Sequence, residues 1–309
     1  MLIKLQQNFP ILLLFILLGF FSYISWTNKM FADGSDEIAH YFISKYSVSH
    51  PGLLLDLWGK PIFTILSAPF SQFGYIGLKI FNVIIGILTG YVTYIISKKT
   101  HNQNSWLSIV FLLFTPIYFV VMQSGLTEIL FSFVVATTVS LFLSKKFVLS
   151  AIVISIIPLV RNEGFIFFPL IVMSLIFVKQ YRIIPLVFSG MIIFGLLSHF
   201  FKQDFFYFFN SSPYPLEAYS VYGKGSLEHF FINKNYLFGP IVEMFFWVGV
   251  VASFVDIKNN NGKKRITKII ELLLIVGIFF TYIFAHSLVW WLGIGRSLGM
   301  LRVVAGGGP

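Results

Sequence analysis

The sequence predicts an all-α polytopic membrane protein, a bundle of roughly nine transmembrane helices. Three observations predict it. The 309-residue chain is 57% hydrophobic and 19% aromatic but only 11% charged, whereas a soluble domain is about 45–50% apolar and about 25% charged. Its apolar residues fall in long runs divided by short polar segments. Its lysines and arginines gather in alternate connecting segments, the pattern of the positive-inside rule. The chain has no cysteine, which excludes disulfides, thiol catalysis and thiolate metal sites.

The first expected span is Pro10 to Trp26. Lys4 before it resembles a signal-peptide n-region, but no small-residue cleavage site follows. The run therefore reads as a retained helix. Further spans are expected at Tyr75–Ile96, Trp106–Met122, Thr127–Leu143, Phe147–Val160, Phe165–Val178, Ile183–Phe201, Phe238–Val255 and Ile269–Trp291. Two connecting segments are long, residues 27–74 and residues 202–237, and long ordered loops are often functional.

Charge gives the orientation. With the N-terminus inside, the inner segments hold Lys4, Lys98, Lys99, Lys145, Lys146, Lys179, Arg182, Lys258, Lys263, Lys264, Arg265 and Lys268. Of the twelve acids, only Asp256 and Glu271 lie among them. The N-terminus is thus expected in the cytoplasm and both long loops on the outer face. The net charge of +10 is explained by topology and needs no nucleic-acid partner.

The first long loop opens with "FADGSDEIAHYF", residues 31–42. Asp33, Asp36 and Glu37 are spaced to share one helix face. One reading is structural: Ser35 caps an interfacial helix whose acidic start favours the helix dipole. The other is a carboxylate held at the membrane surface as general base or cation ligand. His40 lies four residues after Asp36 and can pair with it on a helix. Next, "LWGKPIFTILSAPFSQFG" (residues 57–74) is apolar but broken by Pro69 and Gly74, so it reads as an interfacial helix. Trp58 and Lys60 are then anchors at the interface.

Glu128, in "SGLTEILF", begins the fourth expected span, and it reads either as a helix N-terminal acid favouring the dipole with Thr127 or Ser124 as cap or as a substrate-binding acid at the outer face. In "PLVRNEGFIFFP" the flanking runs are each 14 residues long. Each reaches about 21 Å, short of a hydrocarbon core of about 30 Å. Arg161, Asn162 and Glu163 are thereby drawn toward the apolar boundary, where charges must pair or face a wet cavity. The planar fork of Arg161 suits a phosphate. In "WWLGIGRSLGMLRVVAGGGP", Trp290 and Trp291 read as an aromatic belt. Gly293, Gly295 and Gly299 admit close backbone approach. Arg296 and Arg302 are two cations suited to lipid headgroups or to a phosphate. No P-loop, dinucleotide fingerprint or Ser–His nucleophile motif is present.

Taken in order, "DGSDE", "WGKPIFTILSAPFSQFG", the "TE" of Glu128, "RNEG" and "GRSLGMLR" resemble the GT-C superfamily of polytopic glycosyltransferases. The bacterial mannosyltransferase-like and protein-mannosyltransferase-like members are the nearest in kind. The resemblance covers nearly the whole chain, on short motifs. It implies a single transmembrane glycosyltransferase domain over residues 1–309, with interfacial helices in the first outer loop. It also implies a sugar donor on a polyprenyl phosphate, a glycan, lipid or protein acceptor, and a bacterial inner-membrane location. By position it implies Asp36 as base, with Glu37 and then Asp33 as the other choices. Asp36 and Glu37 could also assist a divalent cation, Mg or Mn. It further implies Arg161 and Glu163 beside the donor, and Arg296 and Arg302 near the carrier phosphate. Lys60-Pro61-Ile62 departs from the family's "KPP", which leaves the role of Lys60 open. The chain stops at "AGGGP" where another span is expected, so the implied domain is expected to be truncated at its C-terminus. The rival expectation, from another class, is a transporter or flippase of a lipid-linked or small polar substrate.

Overall fold

A computed structural model gives the fold. It describes residues 2–29, 31–32, 34–100, 103–213, 223–295 and 297–307, with side chains from residue 8. Two expected site residues, Asp33 and Arg296, lie outside the described residues, as does part of the second long loop. The described chain is helical, and no strand occurs among the described residues.

The helices are α1 (Leu2–Thr27), α2 (Ser35–Tyr46), α3 (Pro61–Ser71), α4 (Tyr75–Lys99), α5 (Leu107–Leu113), α6 (Pro116–Met122), α7 (Glu128–Leu143), α8 (Phe147–Ser155), α9 (Phe168–Phe177) and α10 (Ser189–Lys202). After them come α11 (Tyr207–Asn210), α12 (His229–Ile232), α13 (Lys234–Phe238), α14 (Pro240–Asn259), α15 (Gly262–Leu272) and α16 (Ile278–Leu292). Short 3₁₀ segments cover Asn162–Phe167, Tyr181–Phe188 and Leu301–Gly307. One π turn, Leu273–Gly277, joins α15 to α16.

Five helical stretches are long and apolar enough to cross a membrane: Asn8–Thr27, Tyr75–Lys99, Tyr181–Lys202, Pro240–Asn259 and Gly262–Leu292. Of the nine expected spans, five correspond to helical stretches that are long and apolar enough to cross singly among the described residues. The expected span Trp106–Met122 is two helices of seven residues each. Pro116 biases Thr115 to an extended backbone and ends α5 before it. The 16 residues of α7 reach about 24 Å, less than the hydrocarbon core of about 30 Å. The runs 147–160 and 165–178 likewise break into short α and 3₁₀ pieces around Pro158 and the Arg161–Gly164 turn.

The core is centred on α7, which packs against α4 and α8 and against the terminal segment Leu301–Gly307. Leu78, Ile129, Phe131, Ile157, Phe167 and Tyr282 are fully buried there. A helix this evenly buried needs a largely apolar surface all round, and the polar side chains Ser132 and Thr138 of α7 are buried with their hydroxyls donating to carbonyls of the preceding turn. The 3₁₀ segment Leu301–Gly307 packs against α6, α7 and α16, with Val304–Gly307 buried. A side chain at Gly306 would meet Phe131 and the Tyr282 hydroxyl.

The two ends of α7 meet different charges. At its C-terminal end the Lys99 ammonium donates to the Ser140 carbonyl at 2.9 Å and to the Ser144 hydroxyl, with Lys145 and Lys146 exposed next to it. At its N-terminal end lie Glu128, the Arg161 turn and α2.

Candidate functional site

The first-loop acids separate by function of their neighbours. Helix α2 begins at Ser35, and its N-cap is Gly34, not Ser35 as expected. Gly34 has φ +83, a left-handed conformation that suits glycine. The carboxylate of Glu37 reaches back to accept from the Gly34 N–H at 3.2 Å, the returning half of a capping box. Its other oxygen accepts from the Gly125 N–H at 3.1 Å and from the Tyr75 hydroxyl. Glu37 is fully buried. It ties α2 to the start of α4 and to the turn before α7.

Asp36 faces the other way. Its carboxylate is ion-paired with the Arg302 guanidinium. Arg302 also donates to Glu128 Oε1 at 3.3 Å. The same Glu128 oxygen pairs with Arg161 at 2.8 Å, and Arg161 pairs in turn with Glu163 at 2.8 Å. Acids and arginines therefore alternate in one chain: Asp36, Arg302, Glu128, Arg161, Glu163. Glu128 is fully buried and its second oxygen has no hydrogen-bond partner among the described residues. The Thr127 hydroxyl, expected as a helix cap, makes no cap bond and instead accepts from Arg161 at 3.2 Å.

Lys60 completes the cluster. It is 4% exposed, so it is no interfacial anchor, and its ammonium donates to the Asn162 side-chain oxygen at 3.1 Å. Its backbone has φ +62, a strained state for a residue with a Cβ. Burial above all lowers the Lys60 ammonium to about 8, Arg161 adds to this, and Glu163, Asp56 and Asp36 oppose it. His40, one turn after Asp36, is buried, and its Nδ1 has no partner among the described residues. Burial, then Lys60, Arg161 and Arg302, lower its imidazole to about 3, so it is neutral at physiological pH. Burial alone would raise the Glu163 carboxyl; Arg161, His286 and Lys60 instead hold it down to about 2.

These side chains line one polar cleft of about 40 Å³: Asp36, His40, Trp58, Lys60, Thr127, Arg161, Glu163 and Arg302. Six of the nine residues expected from the sequence thus belong to one cluster: Asp36, Lys60, Glu128, Arg161, Glu163 and Arg302. Glu37 lies behind it as a tie. His40, Trp58, Thr127 and Asn162 join the cluster without having been assigned to the site from the sequence. The Asp36–His40 helical spacing signalled one of them, and the short runs flanking "RNEG" drew Asn162 toward the boundary.

In this arrangement neither Asp36 nor Glu37 presents an unengaged carboxylate to a divalent cation. A cation needs several free oxygen ligands. The Asp36 carboxylate is covered by an arginine, and Glu37 is engaged by two N–H groups and a hydroxyl. No group of three metal-ligating side chains occurs among the described residues.

Near the cleft an apolar groove of about 500 Å³ runs between α5–α7 and α14–α16, walled in part by Val304, Ala305 and Gly307. The terminal segment therefore carries Arg302 into the cleft and, two residues on, begins a wall of the groove. At the groove Lys234 and Glu243 form an ion pair of 2.5 Å. Comparison with protein-family models, curated proteins and solved structures returns no significant match.

Proposed function

We propose that this chain is a glycosyltransferase of the GT-C kind, an integral membrane enzyme that moves a hexose from a polyprenyl phosphate to an acceptor hydroxyl. The N-terminus is cytoplasmic, α2 and α3 lie at the interface, and the cleft works at the outer face of a bacterial inner membrane. The observation that carries the reading is the convergence of Asp36, Lys60, Arg161, Glu163 and Arg302, from four separate parts of the chain, on one polar cleft.

The chemistry follows from the residue types. Arg161, Arg302 and Lys60 supply three cations for the carrier phosphate, and arginine grips phosphate in a bidentate manner. The phosphate leaves with the electron pair of the broken glycosidic bond, and the cations stabilise that charge. Asp36 takes the proton of the acceptor hydroxyl as the new bond forms. A single displacement inverts the anomeric carbon. Glu37 acts at one remove, by holding α2 in place. The apolar groove suits the isoprenoid chain, because it shares the terminal segment with the cleft.

The test is sugar transfer from a polyprenyl-phosphate sugar in membranes, with wild type, Asp36→Asn and Arg161→Gln. Transfer lost about 100-fold or more in both variants is the expected result. Full transfer by Asp36→Asn removes that residue as base. Movement of the donor across the bilayer without any glycosylated product supports the transporter or flippase reading instead.

A further inference from the structure

The cleft is too small for the substrate that its charges suit. Small-molecule sites measure roughly 300–1,000 Å³, and this one is about 40 Å³. The group best placed as base, Asp36, is also covered by a cation of the same chain. A carboxylate oxygen occupied by a guanidinium has no free lone pair to offer an entering hydroxyl. Both facts involve one residue. Arg302 sits on the terminal segment and bridges Asp36 of α2 to Glu128 of α7.

The contact that holds Arg302 has an unusual form. Two guanidiniums, Arg161 and Arg302, share the single oxygen Oε1 of Glu128, while Oε2 lies buried with no partner among the described residues. Two like charges drawn together in this way are a ready receptor for an anion that accepts from both. The segment that carries Arg302 is set by Gly299, at φ +62. A Cβ there would come within 2.7 Å of the Trp290 ring, and its carbonyl meets His229 Nε2 at 2.7 Å. The anchor and the side chain are thus three residues apart, and the guanidinium can change partners while Gly299 stays seated.

We propose that Arg302 is a two-position cation: it covers Asp36 while the cleft is empty of substrate and moves onto the carrier phosphate when that group enters, uncovering the Asp36 carboxylate. This deepens the glycosyltransferase reading and rests on it for the identity of the phosphate. The exchange is conservative in charge. Arg302 gives up one carboxylate oxygen and gains phosphate oxygens, and Asp36 gains a free lone pair. The acceptor hydroxyl then passes its proton to Asp36 as its oxygen bonds to the anomeric carbon. The bond from that carbon to the phosphate oxygen breaks, and the electron pair leaves with the phosphate, now held by Arg302 and Arg161. Without a phosphate in the cleft Asp36 stays covered, so the base is exposed only after the donor's phosphate has entered.

The experiment reads the accessibility of Asp36 directly. The full chain in lipid nanodiscs is treated with a water-soluble carbodiimide and glycine ethyl ester, and labelled carboxylates are quantified by mass spectrometry. The label on Asp36 is divided by that on Asp256, whose side chain is 57% exposed, to cancel reagent consumed by phosphate. The probe is farnesyl phosphate, and its binding is followed separately by thermal shift. The wild-type ratio is expected to rise about fivefold with the probe, the factor that a pairing of about 1 kcal/mol implies. Arg302→Gln should show the high ratio without the probe and no further rise. Arg302→Lys, which keeps the charge and is the safer variant to fold, should start between the two. A rise with inorganic phosphate alone supports the exchange too and assigns it to the phosphate group. A flat or falling wild-type ratio with bound probe overturns the exchange, and sugar transfer in the same preparation then leaves the enzymatic reading standing. A rising ratio with no transfer leaves the exchange standing and overturns the enzymatic reading. Absence of any probe binding overturns both.

Discussion

At its N-terminal end α7 presents Glu128 to two arginines, and these are ion-paired in turn with Asp36 and Glu163, none of the five side chains more than 29% exposed. At its C-terminal end the neighbours are Lys99, Lys145 and Lys146, with no ion pair to an acid among the described residues, and the last two are exposed. The same helix thus carries an expensive arrangement of charge and a cheap one. Lysines in water cost little and serve to orient a membrane chain. A buried alternation of acids and arginines is kept only if each member satisfies the next, because removing one partner leaves an uncompensated charge. The difference teaches where to look for chemistry: in the charges that the fold has gone to lengths to bury, not in the charges that are most numerous.

The sharpest way to break this comparison is Arg161→Leu. It leaves Glu128 and Glu163 without their shared cation, and the expected loss is about 3–5 kcal/mol of stability, measured by thermal or denaturant unfolding in detergent. An unchanged unfolding midpoint would mean that the cleft charges are as dispensable as the lysines. A second, smaller effect is expected at Glu37. Glu37→Gln keeps the size but weakens acceptance from Gly34, Tyr75 and Gly125, at a cost of about 1–3 kcal/mol. Because Glu37 is a tie and not the base, Glu37→Gln should lose transfer only as far as it loses folded protein. A loss of transfer with a native unfolding midpoint would return Glu37 to the chemistry.

The third prediction concerns pH. The Lys60 ammonium is lowered to about 8. It is charged below that pH and neutral above it, so the cleft has three cations in the acid direction and two in the alkaline. Affinity for a prenyl phosphate should therefore be full below about pH 8 and fall as pH rises through it. Lys60→Arg should remove the inflection, since arginine stays charged throughout. The smallest effect is expected at the opposite end of the helix. Lys145→Gln and Lys146→Gln, each alone, should leave transfer and unfolding unchanged, as most exposed substitutions do.

Much of this contrast was legible in the sequence, though unevenly. The short runs flanking "RNEG" already required Arg161 and Glu163 to find partners, because neither run is long enough to keep them in bulk water. The spacing of Asp36 and His40 already put both on one face of α2. The division of labour between Asp36 and Glu37 was not legible, since adjacent residues on a helix point about 100° apart and only neighbouring elements decide which one meets a cation. Lys60 looked like an interfacial anchor because burial cannot be read from a residue type that usually avoids it. At Pro116 and at residues 147–178 hydropathy registers apolar runs but not the breaks that divide them into shorter helices.

By itself the sequence determined the class of the molecule and the sign of its charge at each loop, because composition and the cost of moving charge through lipid act locally and add along the chain. The tertiary structure alone decided that Asp36 is joined to Arg302 across 266 positions, that Glu128 holds two arginines by one oxygen, and that the terminal segment closes the cleft. Those are pairings between distant segments. They depend on which helices pack together, and no local preference in the sequence specifies that.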